Sequence, residues 1–359
     1  MKVDLKPFQS IAVKELRVNI ADACSLYGMR KKTQVVSLQA PTGSGKTIIA
    51  AALIEGIYTG MTLSDGSLFA EQPTAIFIWL SDSPQLNEQS KQKIEALTSK
   101  LNFGQCKTIQ ENSFDQEMLD DGYIYFLNTQ KISSNGNLSH HSDGRQYTIW
   151  ETIDNTIENK ADHLYLIIDE AHRGSKSKRE AGTDTTIMQR FIRGYKYNEE
   201  GVEHHMRPMP VVLGISATAQ RFNTLVSNIT NVGLQTCVIP PEKVRESGLL
   251  KDRIVITYPE NPDKNNDIVL LDAAIDEWQK KCLRWHQYTF EQKQKNVDPV
   301  LVIQVCQGSA KEISSTNLDD IIAKIEEKVG NLKPGEVVHC FGENQKIIIN
   351  GGLYESYCW

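Results

Sequence analysis

The chain has 359 residues, more than one ordinary core, so we expect two domains. The composition, with 40% hydrophobic and 23% charged residues, indicates a soluble protein. The net charge of −6 argues against indiscriminate coating of nucleic acid, although it is compatible with a local basic groove. Seven cysteines without a CxxC pair argue against a zinc site or a disulfide framework, and the short apolar runs cannot span a bilayer, so we expect a cytoplasmic protein without a membrane partner.

Short apolar runs alternate with amphipathic segments over the first 240 residues. We predict buried strands at 35–40, 74–80, 123–128, 164–169 and 211–217. Between them we predict helices that include Ser83–Leu101 and Tyr147–Lys160, and polar surface loops at 59–73 and 133–145. This alternation predicts an α/β fold in which a parallel sheet carries helices on both faces.

A second alternating unit begins after Pro240-Pro241. A connector and a long helical segment, 268–294, occupy most of residues 241–298. We then predict a strand at 299–305, a helix at 317–329 and a strand at 337–342. These strands are too few for a complete sheet.

The stretch APTGSGKT, residues 40–47, has the sequence of a phosphate-binding loop between a strand and a helix. Gly43 and Gly45 allow a tight turn that directs N–H groups inward, and the following helix adds its positive dipole end. Lys46 would reach the β- and γ-phosphates and Thr47 would hold Mg²⁺, with further contacts from Pro41, Thr42 and Ser44. The first position is Ala40 instead of the usual glycine, and the alternative is a glycine-rich turn without a ligand.

The stretch LYLIIDEAH ends a predicted strand in Asp169-Glu170. Ligands gather at the carboxyl ends of strands in open α/β sheets, which puts this pair at the nucleotide site. Asp169 would hold Mg²⁺ through water, and Glu170 would polarise the attacking water. The alternative is a helix N-cap.

APTGSGKT, DEAH (169–172) and SATA (216–219) follow one another in the order found in superfamily 2 helicases and translocases. The chain most resembles the type III restriction enzyme helicases. The resemblance implies a RecA-like P-loop NTPase with ATP-binding lobe 1 at 1–240, a linker and long helical segment at 241–298, and an incomplete RecA-like lobe 2 at 299–359. It further implies ATP and Mg²⁺ as cofactors, DNA as partner with RNA as the alternative, and a methylation or specificity subunit of a restriction system as a second partner.

The resemblance also assigns roles to single residues. Gln9, in LKPFQSIAV, would read the adenine edge and select ATP. Ser81, Thr129 and Gln130 would contact nucleic acid. Coupling between the γ-phosphate and the nucleic-acid path would fall to three residues: His172, Ser216 and Thr218. Each has a plainer alternative, such as a helix cap for Gln9, a turn for Thr129 and a small-residue strand end for SATA.

Two function hypotheses from different classes remain open. The first is an ATP-dependent helicase or translocase of restriction type, acting on DNA or, as a further alternative, on RNA. The second is an ATP- or DNA-binding module with little turnover. The last arginine is Arg284, so residues 300–359 supply no arginine finger, a group worth roughly 10³–10⁵ in rate. We interpret the ending as C-terminal truncation. The basic run after DEAH, 173–179, is either a solvated loop or a phosphate contact.

Overall fold

The computed structural model describes the whole chain except residues 64, 134–135, 143, 171–185, 200, 219–221, 223–225, 227–232, 251–255, 257–265, 310–311, 315, 334, 340–346, 350–351 and 355–359. It divides the chain into two units, Met1–Arg253 and Ile254–Trp359. Within the residues so described, no helix combines the length and the apolar character needed to cross a membrane.

A seven-stranded sheet forms the centre of the first unit. In chain order, the strands of this unit are β1 (Gln34–Gln39), β2 (Met61–Thr62), β3 (Leu68–Phe69), β4 (Ile76–Ser81), β5 (Cys106–Thr108), β6 (Ile124–Asn128), β7 (Leu164–Ile168), β8 (Tyr195–Glu199), β9 (Val202–Met206), β10 (Val211–Ser216) and β11 (Gly233–Val238). The sheet has the order β11-β1-β10-β7-β4-β6-β5, and every neighbouring pair in it is parallel. The predicted α/β fold with a parallel sheet is confirmed.

The central strands are buried along nearly their whole length because helices cover both faces of the sheet. The helices of this unit are α1 (Pro7–Arg30), α2 (Lys46–Thr59), α3 (Pro84–Leu97), α4 (Ile149–Lys160), α5 (Ile187–Arg193) and a short helix, Pro241–Glu246. Side chains of α1, α2 and α3 share one core with Phe77 and Trp79 of β4. Side chains of α4 and α5 share the other core with Ile76, Ile78 and Leu80 of the same strand. Alternate residues of one strand therefore serve opposite layers.

Two antiparallel hairpins interrupt the alternation. Strands β2 and β3 pair within the segment 59–73, which was predicted as a loop. Strands β8 and β9 pair between α5 and β10. The hairpin of β8 and β9 carries Tyr195 and Tyr197, whose rings stack with centroids 5.3 Å apart. Neither hairpin belongs to the parallel sheet.

The second unit contains a long helix, Asn266–Glu291, and a shorter one, Leu318–Val329. The remaining strands form two antiparallel hairpins, Gln307–Ser309 with Glu312–Ser314 and Ile347–Ile349 with Gly352–Tyr354. Both helices were predicted.

The strand predicted at 299–305 was wrong, because this segment lies without regular structure. Val300 and Val302 are exposed there, and the described part of the unit offers them no neighbouring strand. A strand needs such a neighbour for its backbone hydrogen bonds. The strand predicted at 337–342 falls partly outside the described residues.

Candidate nucleotide site and nucleic-acid edge

The loops that follow adjacent strands begin together at the carboxyl edge of the sheet. Ala40 follows β1, and its N–H donates to the carbonyl of Ser216 at the end of β10 over 3.1 Å. Asp169 follows β7, and its N–H donates to the carbonyl of Leu80 in β4 over 2.9 Å. The phosphate-loop sequence, the SATA sequence and the DEAH sequence thus begin on three consecutive strands of the sheet, β1, β10 and β7.

The segment from Pro41 to Gly45 forms a tight turn at the start of α2. Gly43 and Gly45 have φ values of 86° and 82°, in the left-handed region that favours glycine. The Ser44 N–H donates to the carbonyl of Pro41 over 3.1 Å. The hydroxyl of Ser44 is buried and has no hydrogen-bond partner in the described part of the chain. A helix N-terminus preceded by such a turn presents unpaired N–H groups, which suits an anion.

Gln9 of α1 lies against this turn. Its side-chain N–H donates to the carbonyl of Ser44 over 2.9 Å, and its side-chain oxygen accepts from the N–H of Lys6 over 2.9 Å. A Cβ atom at Gly45 would lie 2.6 Å from Nε2 of Gln9, so only glycine fits there without movement. An amide offers two donors and an acceptor with two lone pairs, so half of its capacity remains for a base edge.

Lys46 and Thr47 open α2 and are both half-buried. The ammonium of Lys46 lies 3.5 Å from the carbonyl of Ala40, so the side chain folds back over the turn. Burial raises the pKa of Asp169, and the positive charge of Lys46 opposes part of that rise. The side chains assigned to phosphate and to Mg²⁺ are therefore electrostatically linked.

Asp169 and Glu170 form a half-buried acidic pair directly after β7. Burial and the neighbouring Glu170 carboxylate raise the pKa of Asp169, while Ser90 and Lys46 oppose the rise. The Ser90 hydroxyl donates to Oδ2 of Asp169 over 3.3 Å, and the Glu170 N–H donates to Oδ1 over 3.0 Å. Glu170 has a φ of 50°, an uncommon value for a residue with a side chain. Such backbone conformations cluster at functional sites.

These residues fit Mg²⁺. A hydroxyl on Thr47 and a carboxylate on Asp169 are oxygen ligands, and a divalent cation would offset the repulsion that raises the pKa of Asp169. No group of three metal-ligating side chains occurs among the described residues. Mg²⁺ bound with a nucleotide keeps several waters and uses one or two protein ligands plus phosphates.

The loops after β4 and β6 lie side by side at the same edge. The side chain of Gln130 is exposed and donates to the carbonyl of Asp82 over 3.4 Å, which links the two loops. Thr129 is half-buried and begins a short 3₁₀ helix, with Asn128 as its N-cap. Thr129 and Gln130 thus lie at the edge of the sheet where we predict contact with nucleic acid.

Ser81, the last residue of β4, lies beneath the loop that follows this strand. Its side chain is 1% exposed, and its hydroxyl is hydrogen bonded to Oδ1 of Asn87 over 2.8 Å and to the carbonyl of Ser83 over 3.0 Å. These two hydrogen bonds hold the side chain inward in this structure, and its contact with nucleic acid stays a prediction. Ser81 fixes the loop after β4 to the first turn of α3.

The SATA segment begins as a local hydrogen-bonded turn. The Thr218 N–H donates to the hydroxyl of Ser216 over 3.1 Å, and this hydroxyl donates to the Thr218 carbonyl over 3.0 Å. Ser216 is buried and Thr218 is exposed. His172 and the basic run at 173–179 lie outside the described residues.

Two residues of α3 that support the site were not predicted from the sequence. Asn87 holds Ser81, and Ser90 holds Asp169. A signal was present, because Ser83, Asn87 and Ser90 are spaced four and three residues apart and share one face of the helix. That polar face is aimed at the carboxyl edge of the sheet and supports two of its loops.

The family model of the type III restriction enzyme res subunit matches residues 2–221, which include the phosphate loop, Asp169-Glu170 and Ser216. None of the curated proteins compared with the chain matches it.

Proposed function

The chain belongs to the family of type III restriction enzyme res subunits, and from this premise we propose that it is an ATP-dependent DNA helicase or translocase of restriction type. The family itself implies a helicase-like enzyme that uses a nucleotide and acts on nucleic acid. Restriction-type movement on DNA, and a methylation or specificity subunit as partner, are the finer parts of the proposal.

One observation supports it most strongly. The phosphate loop follows β1, Ser216 ends β10 and Asp169 follows β7, and these three are consecutive strands of one parallel sheet. Loops that bind phosphate, metal and the attacking water must lie close together for phosphoryl transfer, which depends on positioning and charge stabilisation. The adjacency of these loops meets that requirement.

The proposed roles follow from the chemistry of each side chain. Lys46 binds the β- and γ-phosphates, and backbone N–H groups of residues 41–45 complete the cradle. Thr47 and Asp169 hold Mg²⁺, which supplies charge neutralisation at the phosphates. Glu170 orients the attacking water. The hydrogen bond from Ser90 to Asp169 keeps the acidic pair in place.

Gln9 has a proposed role in selecting ATP. Gln9 is hydrogen bonded to the phosphate loop through Ser44, so adenine bound to the remaining donor and acceptor of its amide would be connected to the loop. Thr129 and Gln130 contact the nucleic-acid backbone at the neighbouring loops, and Ser216 with Thr218 connects the two regions. His172 is proposed to take part in that coupling.

A second candidate is a binding module with little turnover. The sequence has no arginine after Arg284, and an arginine that reaches the transferring phosphoryl is worth roughly 10³–10⁵ in rate. Among the described residues, Lys46 is a cation whose charge acts on Asp169. An arginine from lobe 1, such as Arg221 or the exposed Arg245, or from another chain would restore turnover.

Steady-state phosphate release with Mg-ATP separates these candidates. The full chain is assayed alone, with duplex DNA, with single-stranded DNA and with RNA of the same sequence. Lys46→Ala should abolish ATP binding and turnover, while Lys243→Ala should not, because Lys243 is an exposed lysine paired with Glu246 at 2.9 Å.

A DNA-stimulated rate that Lys46→Ala removes supports the motor. Bound ATP without stimulation by any nucleic acid supports the binding module, and stimulation by RNA alone supports an RNA helicase. Equal ATP affinity in wild type and Lys46→Ala would show that the phosphate loop is not the nucleotide site.

A further inference from the structure

The long helix Asn266–Glu291 and the turn after it carry an uneven distribution of charge. Residues 266–279 contain four acidic and no basic side chains, whereas residues 280–298 contain five basic and two acidic ones. The whole chain has a net charge of −6. The C-terminal half of this helix is thus a local basic region on an acidic protein, a pattern that favours a polyanionic partner.

Four residues of this half share one face. Lys281, Arg284, Trp285 and Tyr288 are spaced at i, i+3, i+4 and i+7, which places them in one line along a helix. We call them the basic-aromatic stripe. All four side chains are exposed, with 41% of Trp285 and 52% of Tyr288 accessible to solvent.

The two aromatic rings of the stripe form an exposed pair. Trp285 and Tyr288 stack with ring centroids 5.4 Å apart and an angle of 27° between the planes. Large aromatic rings are normally buried, so two exposed ones beside each other are informative. Flat rings at the surface are platforms on which nucleobases stack.

The two cations of the stripe differ from Lys324 and Lys328 of the same unit. Within the described part of the chain, neither Lys281 nor Arg284 takes part in an ion pair, although the same unit has acidic side chains available. Lys324 and Lys328, by contrast, are paired with Asp272, and Lys328 also with Asp276. The stripe therefore keeps its positive charge for a ligand.

We propose that the basic-aromatic stripe is a binding surface for single-stranded nucleic acid. Trp285 and Tyr288 stack on bases, and Lys281 and Arg284, one helical turn nearer the N-terminus, bind the adjoining phosphates. The stripe places cations for phosphates and rings for bases side by side on one face of the helix, which suits a strand that carries both. The choice of ligand rests on the proposed motor function, for which this surface would be a contact outside lobe 1.

A protein partner would favour a different part of the helix. Leu283 and Phe290 are 70% and 84% exposed, and they are seven residues apart on another face. Cores of protein interfaces are depleted of charged residues, and the stripe is half cationic. Leu283 and Phe290 therefore provide the matched control for apolar area on the same helix.

The test measures binding of a fluorescein-labelled oligothymidylate to the full chain by anisotropy, without ATP. The double variant Trp285→Ala/Tyr288→Ala should weaken binding by about tenfold or more, since stacking on one base alone is worth that order. Leu283→Ala/Phe290→Ala should bind as wild type does. Circular dichroism and the thermal midpoint check that each variant is folded.

A second variant tests the charges without large changes in shape. Lys281→Gln/Arg284→Gln should weaken binding and reduce the slope of log affinity against log salt by about 1.4, which is two contacts at about 0.7 each. The control Lys196→Gln/Lys243→Gln removes the same charge from two exposed lysines and should leave the slope unchanged.

Wild-type affinity in both stripe variants would overturn the proposal, as would the absence of binding by the wild type. A change of oligomeric state in the aromatic variant with unchanged oligonucleotide affinity would identify a protein interface instead. Because no ATP is present, a chain without ATPase activity can still pass the test, so failure of the stripe and failure of the motor are distinguishable.

Discussion

The contact between α1 and the phosphate loop predicts that Gly43→Ala and Gly45→Ala differ in base selectivity. Both glycines have positive φ, and alanine in that region costs roughly 1–2 kcal/mol. At Gly43 the added Cβ meets Leu250 at an ordinary 3.5 Å. At Gly45 it would lie 2.6 Å from Nε2 of Gln9, which must move.

Gln9 cannot move freely, because it is 3% exposed and held by two hydrogen bonds of 2.9 Å. Its displacement removes about 1 kcal/mol of hydrogen bonding and releases the amide proposed to bind adenine. Both variants should bind Mg-ATP about tenfold more weakly, because relief of the shared strain moves the loop N–H groups out of the phosphate cradle. Gly45→Ala should lose about a further fivefold for ATP and nothing further for GTP.

The assay is competition of unlabelled ATP and GTP against a fluorescent ATP analogue. Gly66→Ala is the control, since Gly66 has a φ of 85° in a turn with no atom within 4 Å of the added Cβ. It should share the backbone strain and leave nucleotide binding alone. An equal ATP-to-GTP preference in Gly43→Ala and Gly45→Ala would refute the role of Gln9.

Three further predictions concern other parts of the first unit. Glu170→Gln should retain Mg-ATP binding and lower phosphate release, which single-turnover measurements would check. Burial acts to raise the pKa of Glu55, but hydrogen bonds from the amino terminus and two backbone N–H groups outweigh it and leave the pKa lowered. Glu55 thus stabilises the fold above about pH 4.5 and loses that effect as the pH falls through its lower folded-state pKa. Glu55→Gln should lower the unfolding free energy by about 1–3 kcal/mol at pH 7. In urea titrations at acid pH, the difference in unfolding free energy between this variant and the wild type should disappear. Gly214→Ala should lower the thermal midpoint, because its Cβ would lie 2.3 Å from the ring of Phe222, whereas Gly28→Ala meets nothing within 4 Å and should be neutral or stabilising; equal midpoints would contradict this packing.

Long apolar runs made most of the sheet predictable. The runs at 74–80 and 211–217 became β4 and β10 within two residues, because strands buried on both faces read as continuous hydrophobic segments. β11 was not predicted. Its sequence, GLQTCV, alternates exposed and half-buried or buried residues at the sheet edge, so it has no continuous apolar signal.

The phosphate loop and the acidic pair follow from local motifs, and their adjacency follows from parallel topology. The motifs do not show how deeply each side chain is buried or which residues it contacts. The burial of Ser81 depends on Asn87, six residues away, and the contact of Asp169 with Ser90 crosses 79 positions of sequence. The position of Gln9 against Gly45 likewise depends on how α1 packs.

The place of β1 inside the sheet has a consequence for motion. β1 is hydrogen bonded to β10 on one side and to β11 on the other, over six residues each. Its amide protons should exchange with solvent only when the whole unit opens, while the three-residue edge strand β5 should exchange through local fraying. The strand that precedes the phosphate loop is thus rigid, with slowly exchanging amide protons. Opening and closing around a nucleotide must therefore come from movement of the loops.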